Sequence, residues 1–118
     1  MQRFQDLKVW QRSHALVLDV YRLTTPFPKT EQFGLTSQLR RASSSVPTNI
    51  AEGSKRRTRQ EFARFLNIAE GSLAEVEYLL ILSRDLRLLS QADAGQAVAE
   101  TTEIAKMLNA LRVKVERA

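Results

Sequence analysis

The sequence has no cysteine, a single histidine, four glycines and three prolines among its 118 residues. The lack of cysteine excludes disulfides and thiolate metal sites, and a single histidine excludes the paired Glu-x-x-His motifs of di-iron bundles. With 43% hydrophobic and 26% charged residues, the chain is neither collagen-like nor disordered. The composition therefore predicts a small globular protein with one hydrophobic core.

Long apolar runs are also missing. The longest aliphatic run, Leu79–Leu82, is far shorter than the roughly 20 residues of a membrane-spanning helix. The amino-terminal segment Met1–Asp6 lacks the apolar region of a secretory signal. We predict one cytoplasmic domain over residues 1–118, with no membrane association.

Positive charge is concentrated in one segment. The formal net charge is +5, and the segment from Arg40 to Arg64 contains seven basic and two acidic residues, which accounts for all of it. A localised positive field attracts phosphate backbones, whereas a solvated helix start rich in arginine is the simpler alternative. The predicted nucleic-acid-binding residues are Arg40, Lys55, Arg56, Arg57, Arg59 and Arg64.

Helical periodicity dominates the first half of the chain. Residues 5–24 are predicted to form a helix that ends before Pro26, and Phe27 is expected to fold back over a bundle end. A second helix is predicted over residues 34–53, with a kink at Pro47 or, as a second choice, a division into two short helices. Ser43, Ser44 and Ser45 could rebond the backbone freed by Pro47. The inward faces are predicted as Leu7, Trp10, His14, Val17 and Tyr21 on the first helix, and Leu35, Leu39, Ala42, Val46, Ile50 and Gly53 on the second.

Two longer helices are predicted in the second half. Thr58 and Ser90 are the expected amino-terminal caps, and the third helix should continue to about Leu88 or Leu89. Four helices joined by short links predict an all-α, antiparallel up-down four-helix bundle. The inward faces are predicted as Phe62, Phe65, Leu66, Ala69, Leu73, Val76 and Leu80 on the third helix, and Ala94, Val98, Thr101, Ile104 or Ala105, Leu108, Leu111 and Val115 on the fourth.

The third helix has more apolar surface than a single bundle needs. A second line of residues, Ile68, Ser72, Leu79 and Leu86, lies about 100° around the helix from the first. Exposed apolar stripes of this length mark partner surfaces, so the pattern predicts a homo-oligomer, with Leu79 in the contact. Gly71 in mid-helix, like Gly53 at the end of the second helix, is expected to permit close packing.

A polar line on the second helix gives a related hint. Arg41, Ser45, Asn49 and Glu52 flank its apolar face together with Gln38. Asn49 and Glu52 are predicted to link this helix to neighbouring helices or subunits through a partly buried network, with an ordinary solvated face as the alternative.

Catalytic patterns are weak. The sequence has no phosphate-binding glycine loop, and the serines at positions 43–45 have no evident base. His14 is interpreted as a core histidine, and Glu70, Glu75 and Glu77 have no set of metal ligands beside them. We therefore predict no enzymatic activity, no cofactor, no metal and no small-molecule substrate.

Several stretches of the sequence together form a recognisable pattern, of which Ser45–Gly53 is the most specific. The other stretches are Phe4–Gln11, Pro28, Phe33–Ala42, Phe62, Phe65, Leu66, Ala69, Gly71–Leu73 and Glu75. With these stretches the chain resembles, over nearly its whole length, the four-helix-bundle proteins encoded within intervening sequences of bacterial 23S rRNA genes. It is also similar, more distantly, to the accessory variability proteins of diversity-generating retroelements.

The resemblance implies a four-helix bundle that assembles into a ring-shaped homopentamer. It also implies binding to structured RNA or to an RNA-handling partner, and it brings no catalytic residues. Glu70 departs from the family by placing an acid where a neutral or basic residue is expected. The function predicted from the sequence is a non-enzymatic, RNA-binding oligomer. The alternative is a protein-interaction scaffold whose basic patch binds an acidic or RNA-handling partner.

Overall fold

The computed structural model describes residues 3–118; Met1 and Gln2, part of the segment considered for a secretory signal, lie outside the described residues. These residues form four α-helices, α1 (Lys8–Thr24), α2 (Leu35–Ser54), α3 (Arg59–Asp85) and α4 (Gln91–Arg117). Short 3-10 turns lie at Phe4–Asp6 and Lys29–Glu31. Residues 3–118 contain no β-strand, which confirms the all-α prediction.

The four helices pack around one core in the order of the chain. Helix α2 packs on α1 and α3, and α4 packs on α3 and α1. Phe27, in the link after α1, is buried in this core, as the sequence predicted. No helix within residues 3–118 combines the length and the apolar character that crossing a lipid bilayer would need.

The inward face of α1 differs from the predicted one. The prediction placed Trp10, His14 and Tyr21 inside, whereas His14 and Tyr21 are exposed and Trp10 is only partly buried. A hydrophobic pattern counts serine as polar and therefore places it on the outer face. The Ser13 hydroxyl, however, donates a hydrogen bond to the Val9 carbonyl at 2.7 Å, and this bond satisfies it inside the core. The observed inward face consists of Val9, Ser13, Leu16, Val20 and Leu23.

Helix α2 runs without interruption through Pro47, which excludes the second choice of two short helices. All six positions predicted to face inward on α2 are buried. The nearby serines do not bond the Ser43 carbonyl that Pro47 leaves without its helical donor. Instead, Ser43 and Ser44 donate to the carbonyls of Arg40 and Arg41 at 3.1 Å, because a serine hydroxyl reaches backwards along a helix.

Helix α3 begins as predicted and ends earlier. The Thr58 hydroxyl accepts the Glu61 amide at 3.1 Å, and Ser90 caps α4 in the same way through Asp93. Helix α3 stops at Asp85 because Arg87 adopts the left-handed conformation, with φ at 63°. The amides of Arg87 and Leu88 then bond the carbonyls of Arg84 and Ser83, which is the Schellman arrangement at a helix end.

The second apolar line of α3 is displaced from the predicted one. Leu79 is only 4% exposed and lies in the chain's own core, so it is not available to a second copy. Helix α3 has neighbours on two sides, α2 and α4, and therefore buries a wider arc than a helix with one neighbour. The outward line consists of Ile68, Gly71, Glu75 and Tyr78, with Leu82 half-buried and Leu86 exposed near its end.

Candidate nucleic-acid interface

The turn between α2 and α3 holds most of the predicted basic residues. Gly53 sets its geometry, because a Cβ atom there would lie 2.7 Å from the Phe65 Cβ and 3.0 Å from the Phe62 Cδ1. Only glycine lets the end of α2 approach the start of α3 this closely. The close packing predicted at Gly53 is thereby confirmed, and it fixes where the following cations lie.

Two of these cations lie against the aromatic ring of Phe65. The guanidinium carbons of Arg56 and Arg64 lie 4.8 and 5.1 Å from the centroid of its ring. Lys55 reaches the other way, with its Nζ 6.0 Å from the centroid of the Phe4 ring. Contacts of this kind orient a cation without neutralising it. We call Lys55, Arg56, Arg57, Arg59 and Arg64 the basic cluster.

The basic cluster lacks acidic partners. Within residues 3–118, every ion pair takes its cation from Arg12, Arg22, Arg84, Lys106 or Arg112. None involves a basic residue between Arg40 and Arg64. Since paired charges cancel at a distance and unpaired ones do not, the positive potential of the protein is concentrated at this end of the bundle.

Arg40 does not belong to the cluster. Along α2 it lies roughly 22 Å from Lys55, given the rise of about 1.5 Å per residue. Its Nε donates to the Thr24 hydroxyl at 3.0 Å, and its guanidinium lies 4.5 Å from the centroid of the Tyr21 ring. Arg40 therefore joins the end of α1 to α2, and the sequence could not separate it from the other arginines of the same segment.

Glu70 proves to be neutralised. Arg112 of α4 donates to its carboxylate at 2.5 Å and to the Glu116 carboxylate at 3.0 Å. The hydrogen bond to Glu70 raises the pKa of the Arg112 guanidinium further above its ordinary value. The acid that departs from the family pattern is thus held in an ion pair and does not oppose the positive cluster.

Sequence reasoning missed the contribution of α4. Lys114 lines the same groove as Arg57 and Arg59, although some fifty residues separate them along the chain. A signal was available, because the predicted antiparallel bundle would bring basic residues at the end of the last helix beside the start of α3. A second, open cleft of about 520 Å³ runs between α3 and α4, lined by Arg59, Gln60, Ala63, Arg64, Asn67, Arg112 and Glu116.

The polar line of α2 is only partly a link between helices. The Ser45 hydroxyl lies 2.9 Å from the Ser72 hydroxyl of α3 and makes that link. Asn49 donates to the carbonyl and hydroxyl of Ser45, within α2, and Glu52 is exposed, as is Arg41. Within the chain, the predicted inter-helix role of Asn49 and Glu52 therefore falls to Ser45, which sits closer to α3.

The family model for the 23S rRNA-intervening sequence protein matches residues 5–110. The chain belongs to this family. A crystal structure from Bacteroides thetaiotaomicron, of a protein with unknown function from the S23 ribosomal protein family, has a TM-score of 0.79 with this chain. The two are 24% identical over 88% of this chain and 97% of the other, which establishes a shared fold. No curated protein matches this member of the intervening-sequence family.

This member of the intervening-sequence family also has a second surface feature, between α1 and α2. His14 stacks on Trp10, with ring centroids 5.1 Å apart and planes 7° from parallel, and Phe4 meets Trp10 edge-on at 5.2 Å. An apolar groove of about 410 Å³ runs beside them, with Pro47 in its wall. His14 is thus part of an exposed aromatic surface and not of the core. In the part of the chain that the structure describes, no group of three or more His, Asp or Glu side chains could hold a metal ion.

Proposed function

We propose that this protein is a non-enzymatic, oligomeric helical bundle that binds structured RNA through the basic cluster. The observation that carries the proposal is the set of neighbouring cations without acidic partners at one end of the bundle. Phosphate contacts from lysine and arginine supply most of the affinity of proteins for nucleic acid backbones.

The position of the cluster on α3 supports this function. Arg59 is the first residue of the helix, and Arg56 and Arg57 lie just before it. Cations at a helix amino terminus oppose the helix dipole and are unfavourable for folding. Arg59 therefore opposes the α3 dipole, whereas Arg56 and Arg57 also follow the carboxyl end of α2, where positive charge is favourable. A cation kept at the first residue of α3 gives up some stability, which is typical of a binding site.

Helix direction supports the inclusion of Lys114 in the same site. The α2–α3 link has four residues and spans at most roughly 18 Å, whereas α3, with 27 residues, is about 40 Å long. A link this short favours an antiparallel arrangement of the helices that it joins, and the link of five residues between α3 and α4 favours the same arrangement there. The end of α4 would then lie beside the start of α3. The same arrangement supports the antiparallel up-down bundle predicted from the sequence. The kink of α2 at Pro47 also stays a prediction.

The direct test is binding to a structured RNA by protein freed of copurifying nucleic acid. If the five residues of the basic cluster and Lys114 each displace one counterion, the logarithm of the association constant should fall against the logarithm of the salt concentration with a slope of about −5. Fluorescence anisotropy across a salt series measures this slope. Absence of binding at low salt would refute the proposal.

A protein-interaction scaffold is the second candidate, and the apolar groove beside Trp10 and Pro47 favours it. Such a scaffold would bind an acidic or RNA-handling partner protein. Capture of partners from a lysate with and without nuclease separates the two functions. Partners bound through RNA are lost after nuclease treatment, whereas partners that contact the protein directly are retained.

Self-association is part of the proposal, with a homopentamer as the best estimate from the family resemblance. Its support in this chain is the outward line of α3, where Ile68, Tyr78 and Leu86 are exposed. Exposed apolar side chains that recur along one helix face favour contact with a second copy. Repetition of the basic cluster around a ring would produce a band of positive charge.

Two exposed glycines in helix interiors test this surface. Apart from its neighbours in the chain and the backbone of its own helix turn, a Cβ atom at Gly71 of α3 or at Gly95 of α4 would meet no described atom within 4 Å. Within one chain, therefore, no close contact requires a glycine at position 71, contrary to the prediction. In an isolated chain, replacing either glycine by alanine should stabilise the fold by roughly 0.5–1 kcal/mol. If α3 contacts a second copy at Gly71, Gly95→Ala should raise the melting temperature and Gly71→Ala should lower it. Equal increases of the melting temperature in both variants would place Gly71 outside any interface.

A further inference from the structure

Arg56, Arg57 and Arg59 of the basic cluster line an apolar groove that the backbone-binding function does not use. The groove lies where α3 begins and α4 ends, and its volume is about 370 Å³. That size is within the range of roughly 300–1,000 Å³ found for small-molecule pockets in proteins. Its floor consists of four half-buried apolar side chains, Leu7, Phe62, Leu111 and Val115.

Four cations lie on the rim of this groove, beside the neutral side chains of Ser54, Thr58 and Ala118. Arg56, Arg57, Arg59 and Lys114 line it, and none of the lining residues has an acidic side chain. None of these four cations has an ion-pair partner among residues 3–118. A complementary ligand therefore has an apolar body with negative charge close to it on more than one side.

An unstacked nucleotide within an RNA chain has this chemistry. Its base presents apolar faces, and the phosphates before and after it are negative. Phe62 and the arginine guanidinium planes are the side chains on which bases stack in proteins that bind single-stranded segments. A base inside a duplex is covered by its neighbours, and the grooves of RNA helices give little access to it.

We propose that this groove receives one unpaired nucleobase, from a bulge, a loop or a strand end, while its cations hold the flanking phosphates. The inference rests on the proposed RNA-binding function and narrows its substrate to RNA with at least one unstacked nucleotide. For contact with the base, the groove combines a single aromatic ring, aliphatic side chains and guanidinium groups.

Two RNA hairpins that differ by one bulged nucleotide provide the test. We expect the wild-type protein to bind the bulged hairpin roughly tenfold more tightly than the fully paired one, as stacking of one base allows. Val115→Trp should fill the groove and abolish this preference while leaving the affinity for the paired hairpin unchanged. Val113→Trp is the matched control, because Val113 is also half-buried on α4 and does not line the groove, and it should retain the preference.

The outcomes separate this inference from the function beneath it. Equal binding of both hairpins by the wild type, or an unchanged preference in Val115→Trp, would overturn the base-binding role and leave backbone binding intact. If neither hairpin binds, the RNA-binding function itself fails, and this inference fails with it. A third outcome is that the wild type does not discriminate between the hairpins but binds a short acidic peptide containing phenylalanine, and that Val115→Trp blocks the peptide. This outcome would assign the groove to a protein partner and overturn the proposal.

A second measurement does not depend on the variants. A 4-thiouridine at the bulge should, on irradiation, crosslink to a peptide that carries Phe62, Leu111 or Val115, located by mass spectrometry. Crosslinks confined to the aromatic groove beside Trp10 would place the base elsewhere and overturn the proposal.

Discussion

Reversing Arg56, Arg57 and Arg59 to glutamate should abolish binding to structured RNA while leaving the helical content intact. The three side chains are exposed and have no acidic partner to lose among residues 3–118. Each replacement removes a phosphate contact and adds repulsion, so the dissociation constant should rise by at least about 100-fold. A glutamate at position 59 suits the α3 dipole, whereas glutamates at positions 56 and 57 oppose the dipole at the carboxyl end of α2. The two effects offset each other, and the fold should therefore keep its stability.

A matched variant separates the local effect from that of net charge. Each reversal changes the charge by two, so three of them take the formal net charge from +5 to −1. Reversing Lys29, Arg41 and Arg87, which are exposed and distant from the cluster in sequence, produces the same change in net charge. Anisotropy should show retained binding for this control. Equal loss in both triple variants would mean that overall charge, and not the basic cluster, carries the affinity.

Leu79→Glu should unfold the protein. Leu79 is 4% exposed and packed in the core, and a carboxylate there has no hydrogen-bond partner to replace water. The cost is expected to exceed about 4 kcal/mol, a large part of the roughly 5–15 kcal/mol by which a domain of this size is stable. Circular dichroism and urea titration would show loss of cooperative unfolding.

The adjacent residue gives the control and tests assembly at the same time. Tyr78 is 60% exposed, so Tyr78→Glu should keep the helical content of the wild type. If the outward line of α3 contacts a second copy, this variant should have a lower mass by light scattering. A folded Leu79→Glu protein would contradict the position of Leu79 in the core, and an unchanged mass for Tyr78→Glu would exclude Tyr78 from the contact.

The sequence alone predicted the elements that depend on local physics. Thr58 and Ser90 cap their helices as predicted, because a cap requires only a hydroxyl and an amide three residues apart. The predicted inward face of α2 is correct at every position, because its aliphatic residues lie on one side of the helix and burial of that side removes them all from water. Helix α1 was predicted with the wrong inward face because Ser13, satisfied by its own backbone, is invisible to a count of hydrophobic residues.

The sequence by itself determined an all-α chain of four helices with its positive charge in one segment. Only the tertiary structure decided which of those charges act together. Arg40 bonds to the end of α1, and Lys114 of α4 lines the groove beside the arginines of the basic cluster. Gly53 allows the close approach of α2 to α3 next to this groove. The physical reason is that helix formation and capping are settled within a few residues, whereas a binding site depends on distances between residues that only packing brings together.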